Sequence, residues 1–165
     1  MEIWDLLNKD GQKTGQTMVR GGNVPAGLYH QVVHIWVVNS RGEFLVQQRA
    51  QHVSWKPGVW AVTGGAAVSG EEPLAAALRE AREEIGLEVP PERMRLLTRL
   101  KRTNSFCYVY RALCDREADE FVLQREEVAR VAWMTREQIE AMRGQGTFYD
   151  YGDAYFSVIW ERAHS

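Results

Sequence analysis

Hydrophobic and polar positions alternate in short runs along most of this chain, and polar turns separate the runs. Val32, Val33, Ile35, Val37 and Val38 mark a strand over Gln31–Val38, and Phe44, Leu45 and Val46 mark another over Glu43–Gln48. Asn39-Ser40-Arg41-Gly42 joins them, and so short a link predicts an antiparallel hairpin. The same reading predicts strands at Ile3–Asn8, Thr14–Arg20, Val59–Thr63, Met94–Leu100, Phe106–Leu113 and Val128–Met134. One segment repeats at helical spacing instead. Leu74, Leu78, Ala81 and Ile85 step by four, three and four, which predicts a helix over Pro73–Ile85 with those residues as its buried stripe. Gly86 suits its stop, and Ser69 with Glu72 resembles a capping box at its start. Thr135 and Gln138 form a second such pair, opening a helix that ends near Gly144, and Phe156, Ile159 and Trp160 predict a last helix over about Asp153–Arg162. Strands outnumber helices and hairpin links dominate, so the class is α+β with a mixed sheet. No linker, repeat or low-complexity tract divides the chain, and 1–165 reads as one domain.

Composition acts on this picture by exclusion. The 165 residues carry 20 Lys+Arg against 22 Asp+Glu, a formal net charge of −2, so there is no global basic field for a nucleic-acid polymer. No apolar run approaches the ~20 residues of a membrane span, and Met1-Glu2-Ile3-Trp4-Asp5 lacks the basic start and apolar stretch of a leader. Cys107 and Cys114, at odd spacing, fall on opposite faces of one extended strand, which argues against a disulfide between them. The expectation is a cytoplasmic protein with two reduced thiols and neither a membrane nor a nucleic-acid partner.

The candidate chemistry lies on the central helix. Glu80, Glu83 and Glu84 stand at i, i+3 and i+4 and share a face roughly 135° from the predicted stripe, so all three are expected to point away from the core. Like charges at that spacing repel, in the half of the helix where the dipole already disfavours anions. Arg79 and Arg82 offset the repulsion on one reading; a divalent cation held by carboxylate oxygens offsets it on the other. An acidic helix face alone is usually a solvated surface, and the upstream residues decide. Thr63-Gly64-Gly65-Ala66-Ala67-Val68-Ser69-Gly70-Glu71 gives a strand, a glycine pair, a small-residue loop and a glutamate entering the helix. Glycines admit close backbone approach and expose N–H groups to an anion. That layout suits a metal-bound diphosphate.

Gly65 to Leu87 resembles the Nudix box, G-x5-E-x7-R-E-U-x-E-E-x-G-U with U a bulky apolar residue. Gly65, Glu71, Arg79, Glu80, Glu83, Glu84, Gly86 and Leu87 fill it, and Ala81 is the one small residue at an apolar slot. The resemblance implies a Nudix-type α/β/α sandwich, with the box over 65–87 and an N-terminal β extension over 1–28. It also implies hydrolysis of a diphosphate linkage with Mg²⁺ or Mn²⁺. By the same resemblance Glu83 and Glu84 are the main metal ligands, Glu80 completes the set or helps through water, and Gly65 offers backbone. Arg79 would orient Glu83 by an ion pair, and Glu71 would bond the loop to the helix. The reaction needs a general base. It is either a box glutamate or a later one, a position that Glu127 matches, with Glu126 beside it as rival.

Arg49 and Lys56 are candidate phosphate binders. His30 is a candidate substrate contact, with His34 on the same side of its strand. Trp55, Tyr149, Tyr151 and Tyr155 are candidates for a surface on which a base stacks. The spacing His30…Asn39…Gln48-Arg49…Lys56-Pro57-Gly58…Trp60 is similar to the branch containing isopentenyl-diphosphate isomerase. Yet Gly64 stands where that isomerase has its acid–base cysteine, and Ala66 where it has a metal-binding histidine. The expected activity is therefore metal-dependent hydrolysis of a nucleoside diphosphate or a derivative of one, by water attack on phosphorus. An isomerase-like enzyme and a non-catalytic nucleotide-binding module are the alternatives; a prenyl or thiamine diphosphate is the alternative substrate. The N-terminal hairpin offers an edge for a homodimer.

Overall fold

A computed structural model describes residues Met1–Ser165. The chain runs β1 (Ile3–Leu7), β2 (Lys13–Val19), β3 (His30–Val38), β4 (Phe44–Arg49), β5 (Trp60–Ala61), β6 (Thr63–Ala66) and α1 (Pro73–Ile85). It continues through β7 (Arg95–Lys101), β8 (Ser105–Leu113), β9 (Val128–Met134), α2 (Arg136–Gln145) and α3 (Asp153–Arg162). Strands β1 and β2 form a hairpin of their own, and the other seven form one mixed sheet. Its spine is β3, which pairs in parallel with β8 from His30 opposite Ser105 to Val38 opposite Leu113. The other edge of β3 is shared: Val32–Ile35 pair antiparallel with β6, and Val37 and Val38 with β4 in the predicted hairpin. The single strand expected over Val59–Thr63 is accordingly two. Residues Trp60–Ala61 pair with β4 and Thr63–Ala66 with β3. The chain changes partner at Val62, whose N–H donates to Tyr151 Oη at 3.1 Å.

Side chains alternate along β3, as a strand requires. Val33, Ile35 and Val37 face α1, with Leu45 and Ala112 beside them; Trp36 and Val38 face α2 and α3, with Phe44, Val46, Phe156 and Ile159. The layers are therefore helix, sheet, helix, the α/β/α order that the resemblance implies. Cys107 is buried in the α3-side layer and Cys114 packs on the α1-side layer, both as free thiols, so their odd spacing does separate them.

Helix α1 spans Pro73–Ile85 as predicted and stops at Gly86, where φ is 66° and Leu87 N–H donates back to the Ala81 carbonyl at 3.1 Å. Its buried face keeps Ala81 and Ile85 of the predicted stripe but is rotated away from Leu74. Ala76, Ala77, Ala81, Glu84 and Ile85 are buried, Leu78 is half-buried and Leu74 is exposed. Three alanines let the helix approach the sheet closely, and Gly65 of β6 leaves room for Glu80, which turns the contact face toward the carboxylates. The Ser69–Glu72 capping box does not form either. Ser69 Oγ donates to Asp5 Oδ1 at 2.7 Å, Gly70 N–H donates to Asp5 Oδ2 at 2.8 Å, and Ser69 N–H donates to the Ile3 carbonyl at 2.7 Å. These bonds dock the N-terminal hairpin on the loop ahead of α1. The Thr135–Gln138 box does form. No helix is long and apolar enough to cross a membrane.

Ile85→Ala should lower the unfolding free energy by about 2–5 kcal/mol, as for a buried aliphatic residue. Leu74→Ala should stay within about 0.5 kcal/mol of wild type. Chemical denaturation of the two variants measures the difference.

Candidate active site

Arg79 stands at the centre of the box. Its Nε and Nη2 grip Glu71 at 2.8 and 3.0 Å, its Nη1 reaches Glu80 at 3.0 Å and Glu83 at 3.1 Å, and Nη2 also donates to the Ala66 carbonyl at 3.2 Å. Glu71 in turn accepts the Val68 N–H at 3.0 Å. One planar cation thus ties β6, the loop and the helix, a pattern that needs the forked donors of arginine and that a lysine cannot reproduce. The repulsion along the acidic face is offset here by Arg79, whose own pKa is raised, foremost by its hydrogen bonds to Glu71. Arg82 is exposed and takes no part.

Of the three glutamates expected to face outward, Glu83 does, with its side chain 46% exposed. Glu84 is buried, and its Oε1 accepts the Gly64 N–H at 3.0 Å and Gln47 Nε2 at 3.2 Å. Both donors are neutral, and burial pushes the Glu84 carboxyl up to about 8. Glu80 lies across Gly65, where a Cβ would come within 2.5 Å of its Oε1, and burial pushes it up to about 7 despite the nearby guanidinium. The glycine strand contributes in two ways: the missing side chain at Gly65 leaves room for Glu80, and the Gly64 N–H holds Glu84 one turn on. Glu84 Oε2 has no protein partner. Two poorly solvated carboxylates and a third at the rim make a set of hard oxygen donors, which fits Mg²⁺ or Mn²⁺. As the side chains stand, Arg79 draws Glu80 and Glu83 to itself, and no three acidic groups converge on one point.

These carboxylates line a cleft of about 610 Å³. Glu127 also lines it, near enough to Glu84 to raise that group further, whereas Glu126 is exposed outside it. Another part of the lining is aromatic. Trp55 meets Tyr149 at 4.9 Å and Tyr149 meets Tyr151 at 4.7 Å, both edge to face. The Arg49 guanidinium lies 4.9 Å over Trp55, and its Nε donates to the Trp55 carbonyl at 2.7 Å. His30 reaches the cleft stacked on Trp4 of β1, ring centres 4.2 Å apart. Two candidates are elsewhere. Lys56 occupies an exposed turn at φ 48° and does not line the cleft, and Tyr155 is buried in the core rather than offering a stacking face.

His34 lines the cleft at the end of a hydrogen-bond chain. Trp36 Nε1–H donates to Tyr155 Oη at 2.8 Å, and that hydroxyl meets His34 Nδ1 at 2.7 Å. Tryptophan can only donate, and the buried Tyr155 hydroxyl has no acceptor other than Nδ1, so its proton is best satisfied there, which assigns the imidazole's proton to Nε2. Burial, reinforced by the charge of Arg102, pushes His34 down to about 3, and burial pushes His30 down to about 4. Arg102, Asn104 and Ser105 at the β7–β8 turn, and Glu2, Trp4 and Arg20 of the N-terminal hairpin, complete the lining without any local pattern to announce them. They arrive through β8 lying parallel beside β3 and through the Asp5 contacts, both long-range.

Comparison with other proteins places this fold and cleft. The NUDIX domain family model matches residues 28–151. Over 152 residues, 92% of this chain and 90% of its relative, the sequence is 34% identical to an uncharacterized Nudix hydrolase of Listeria monocytogenes. The crystal structure of DR0079 from Deinococcus radiodurans superimposes with a TM-score of 0.80 at 26% identity, covering 99% of this chain and 100% of that one. The chain belongs to the Nudix family. It is a pyrophosphohydrolase, an enzyme that hydrolyses a pyrophosphate linkage, and Nudix hydrolases generally use divalent metals such as Mg²⁺ or Mn²⁺. A shorter stretch of 86 residues, 52% of this chain and 44% of the other, is 34% identical to isopentenyl-diphosphate Delta-isomerase of Streptomyces coelicolor. Here, however, a Cβ at Gly64 would lie 2.3 Å from the Val33 carbonyl oxygen, so the strand pair has no room for the isomerase's cysteine.

In the unfolded chain His30 and His34 take up protons near pH 6.5, and in the folded one only near 4 and 3. The unfolded state therefore binds more protons in between. The stability these groups contribute is full above pH 6.5 and is lost as the pH falls toward 4. Replacing one of them, His34→Gln, should flatten the acid limb of the unfolding free energy by about 1.4 kcal/mol per pH unit between roughly pH 6 and 4.5. Urea denaturation across that range measures the slope; an unchanged slope would mean that native His34 is already charged.

Proposed function

We propose that the chain hydrolyses the diphosphate linkage of a nucleoside diphosphate, or of a nucleoside diphosphate derivative, by metal-assisted attack of water on phosphorus. The observation that carries this reading is the meeting, in one cleft, of Glu80, Glu83 and Glu84 with the rings of Trp55, Tyr149 and Tyr151. The acids suit the cation that accompanies a diphosphate, and the rings offer π faces to a base. Glu80, Glu83 and Glu84, with backbone at Gly65, would hold a divalent cation, which would supply charge neutralisation and a more acidic water.

The chain's own residues do the rest. Gly64 N–H and Gln47 fix the Glu84 carboxylate, and Arg79 keeps Glu80 and Glu83 at the cleft, from which they would turn toward a bound cation. Glu127 accepts the proton of the attacking water. Its support is position: it lines the cleft within electrostatic reach of Glu84, and Glu126 does not. His30 on Trp4, and Arg49 over Trp55, border the space for the non-phosphate part of the substrate.

Glu83→Gln and Glu127→Gln both alter side chains at the cleft rather than in the core, so the fold should survive in each. With Mg²⁺ or Mn²⁺ and a panel of diphosphates, read by phosphate release and product mass, Glu83→Gln should lower turnover by at least about a hundredfold. Glu127→Gln should lower kcat by about 10²–10⁴, the usual range for a lost general base. Unchanged turnover in Glu83→Gln would remove it from the ligand set. Unchanged kcat in Glu127→Gln would return the base to the box.

A further inference from the structure

The cleft must balance charge, and its cations are unequally engaged. Arg79 is committed to three carboxylates, Arg20 pairs with Glu2 at 3.4 Å, and Arg49 is bonded to the Trp55 carbonyl and lies over that ring. Arg102 is different. Only its backbone N–H is used, on the Ser105 carbonyl at 2.8 Å, which closes the β7–β8 turn; its guanidinium lines the cleft with neither an ion pair nor a hydrogen bond. Its charge reaches His34, which lines the same cleft.

His34 brings a second donor to that place. Its antiparallel partner is Gly64, and its side chain projects from the α3 face of the sheet, opposite α1, yet lines the same cleft as the carboxylates. With Nδ1 occupied by Tyr155, Nε2–H is the free position, and it has no protein partner. A diphosphate that carries one divalent cation is still an anion, and Glu80, Glu83, Glu84 and Glu127 repel it. Its oxygens need donors that no acid of the protein already holds, and charge-assisted ones bind most strongly.

We propose that the Arg102 guanidinium and the His34 Nε2–H together bind the phosphate oxygens of the substrate, with Trp36 and Tyr155 as positioning residues that keep the imidazole a permanent donor. The assignment rests on the diphosphate reading above and names contacts that Arg49 and Lys56 were expected to make. One of those is already engaged, and the other is off the cleft.

The probe is inorganic pyrophosphate with Mg²⁺, titrated calorimetrically into wild type, Arg102→Gln, Arg102→Lys and Tyr155→Phe, beside KM and kcat for the nucleoside diphosphate panel. Arg102→Gln should weaken pyrophosphate binding at least about tenfold, the scale of a lost charged hydrogen bond. It should raise KM more than it lowers kcat, and Arg102→Lys should recover part of the loss. The ¹⁵N spectrum of wild type should show His34 protonated on Nε2 and bare on Nδ1, and Tyr155→Phe should mix the tautomers and weaken binding severalfold. Wild-type affinity in Arg102→Gln, or a proton on Nδ1 in wild type, overturns the proposal. If Arg102→Gln weakens pyrophosphate binding while wild type hydrolyses no nucleoside diphosphate, this site stands and the substrate reading falls. If the nucleotides are hydrolysed and Arg102→Gln matches wild type throughout, the reverse holds.

Discussion

Arg79 touches five oxygens from three stretches of chain: the Ala66 carbonyl on β6, both oxygens of Glu71 in the loop, and one each from Glu80 and Glu83 on the helix. Without that cation the acidic face would be a poor helix surface, because its charges repel one another and lie at the end of the helix where the dipole opposes them. With it, carboxylates that would otherwise spread into solvent are gathered at the cleft in fixed orientations. Keeping the acids at the cleft shortens the rearrangement that a cation would demand of them, and less rearrangement favours electrostatic stabilisation when charge develops.

Packing adds a second constraint. Alanines at 76, 77 and 81 set α1 close to the sheet, Gly65 accepts Glu80 where a side chain would collide, and the Gly64 N–H holds Glu84. The same closeness strips water from these carboxylates and raises their affinity for protons. A buried carboxylate bonded only to neutral donors is destabilised as an anion, and that is a demand a hard cation can meet. The features that make the site unfavourable for an isolated protein are those that suit it to a charged ligand.

Much of this was readable from the residues, because much of it is local. The β3–β4 hairpin follows from a four-residue link, the limits of α1 from Pro73 and Gly86, and the start of α2 from Thr135 and Gln138. The Arg79–Glu83 pair follows from helical spacing. What escaped was long-range. A helical wheel treats Leu74 as more apolar than Ala77 and therefore more buried, yet close approach to a sheet favours the smaller residue. The wheel likewise turns Glu84 outward, since nothing in the periodicity says that a glycine strand lies beneath it. The contribution of Arg102 depends on a parallel pairing between segments some seventy residues apart, and that of Trp4 on a single aspartate docking a hairpin. Lys56 flanks the loop after a hairpin strand, a place that suggests a phosphate contact, and an exposed turn takes it elsewhere.

The central claim is that Glu80, Glu83 and Glu84 form the seat of a divalent cation, and titration with Mn²⁺ followed by paramagnetic broadening of backbone amide resonances tests it directly. The account predicts that Gly64, Gly65 and residues 80–84 broaden first, at substoichiometric Mn²⁺, and that Glu84→Gln abolishes this pattern. Broadening that begins at exposed acids elsewhere, such as Glu117 and Glu120, and leaves Gly64, Gly65 and the helix sharp would contradict it.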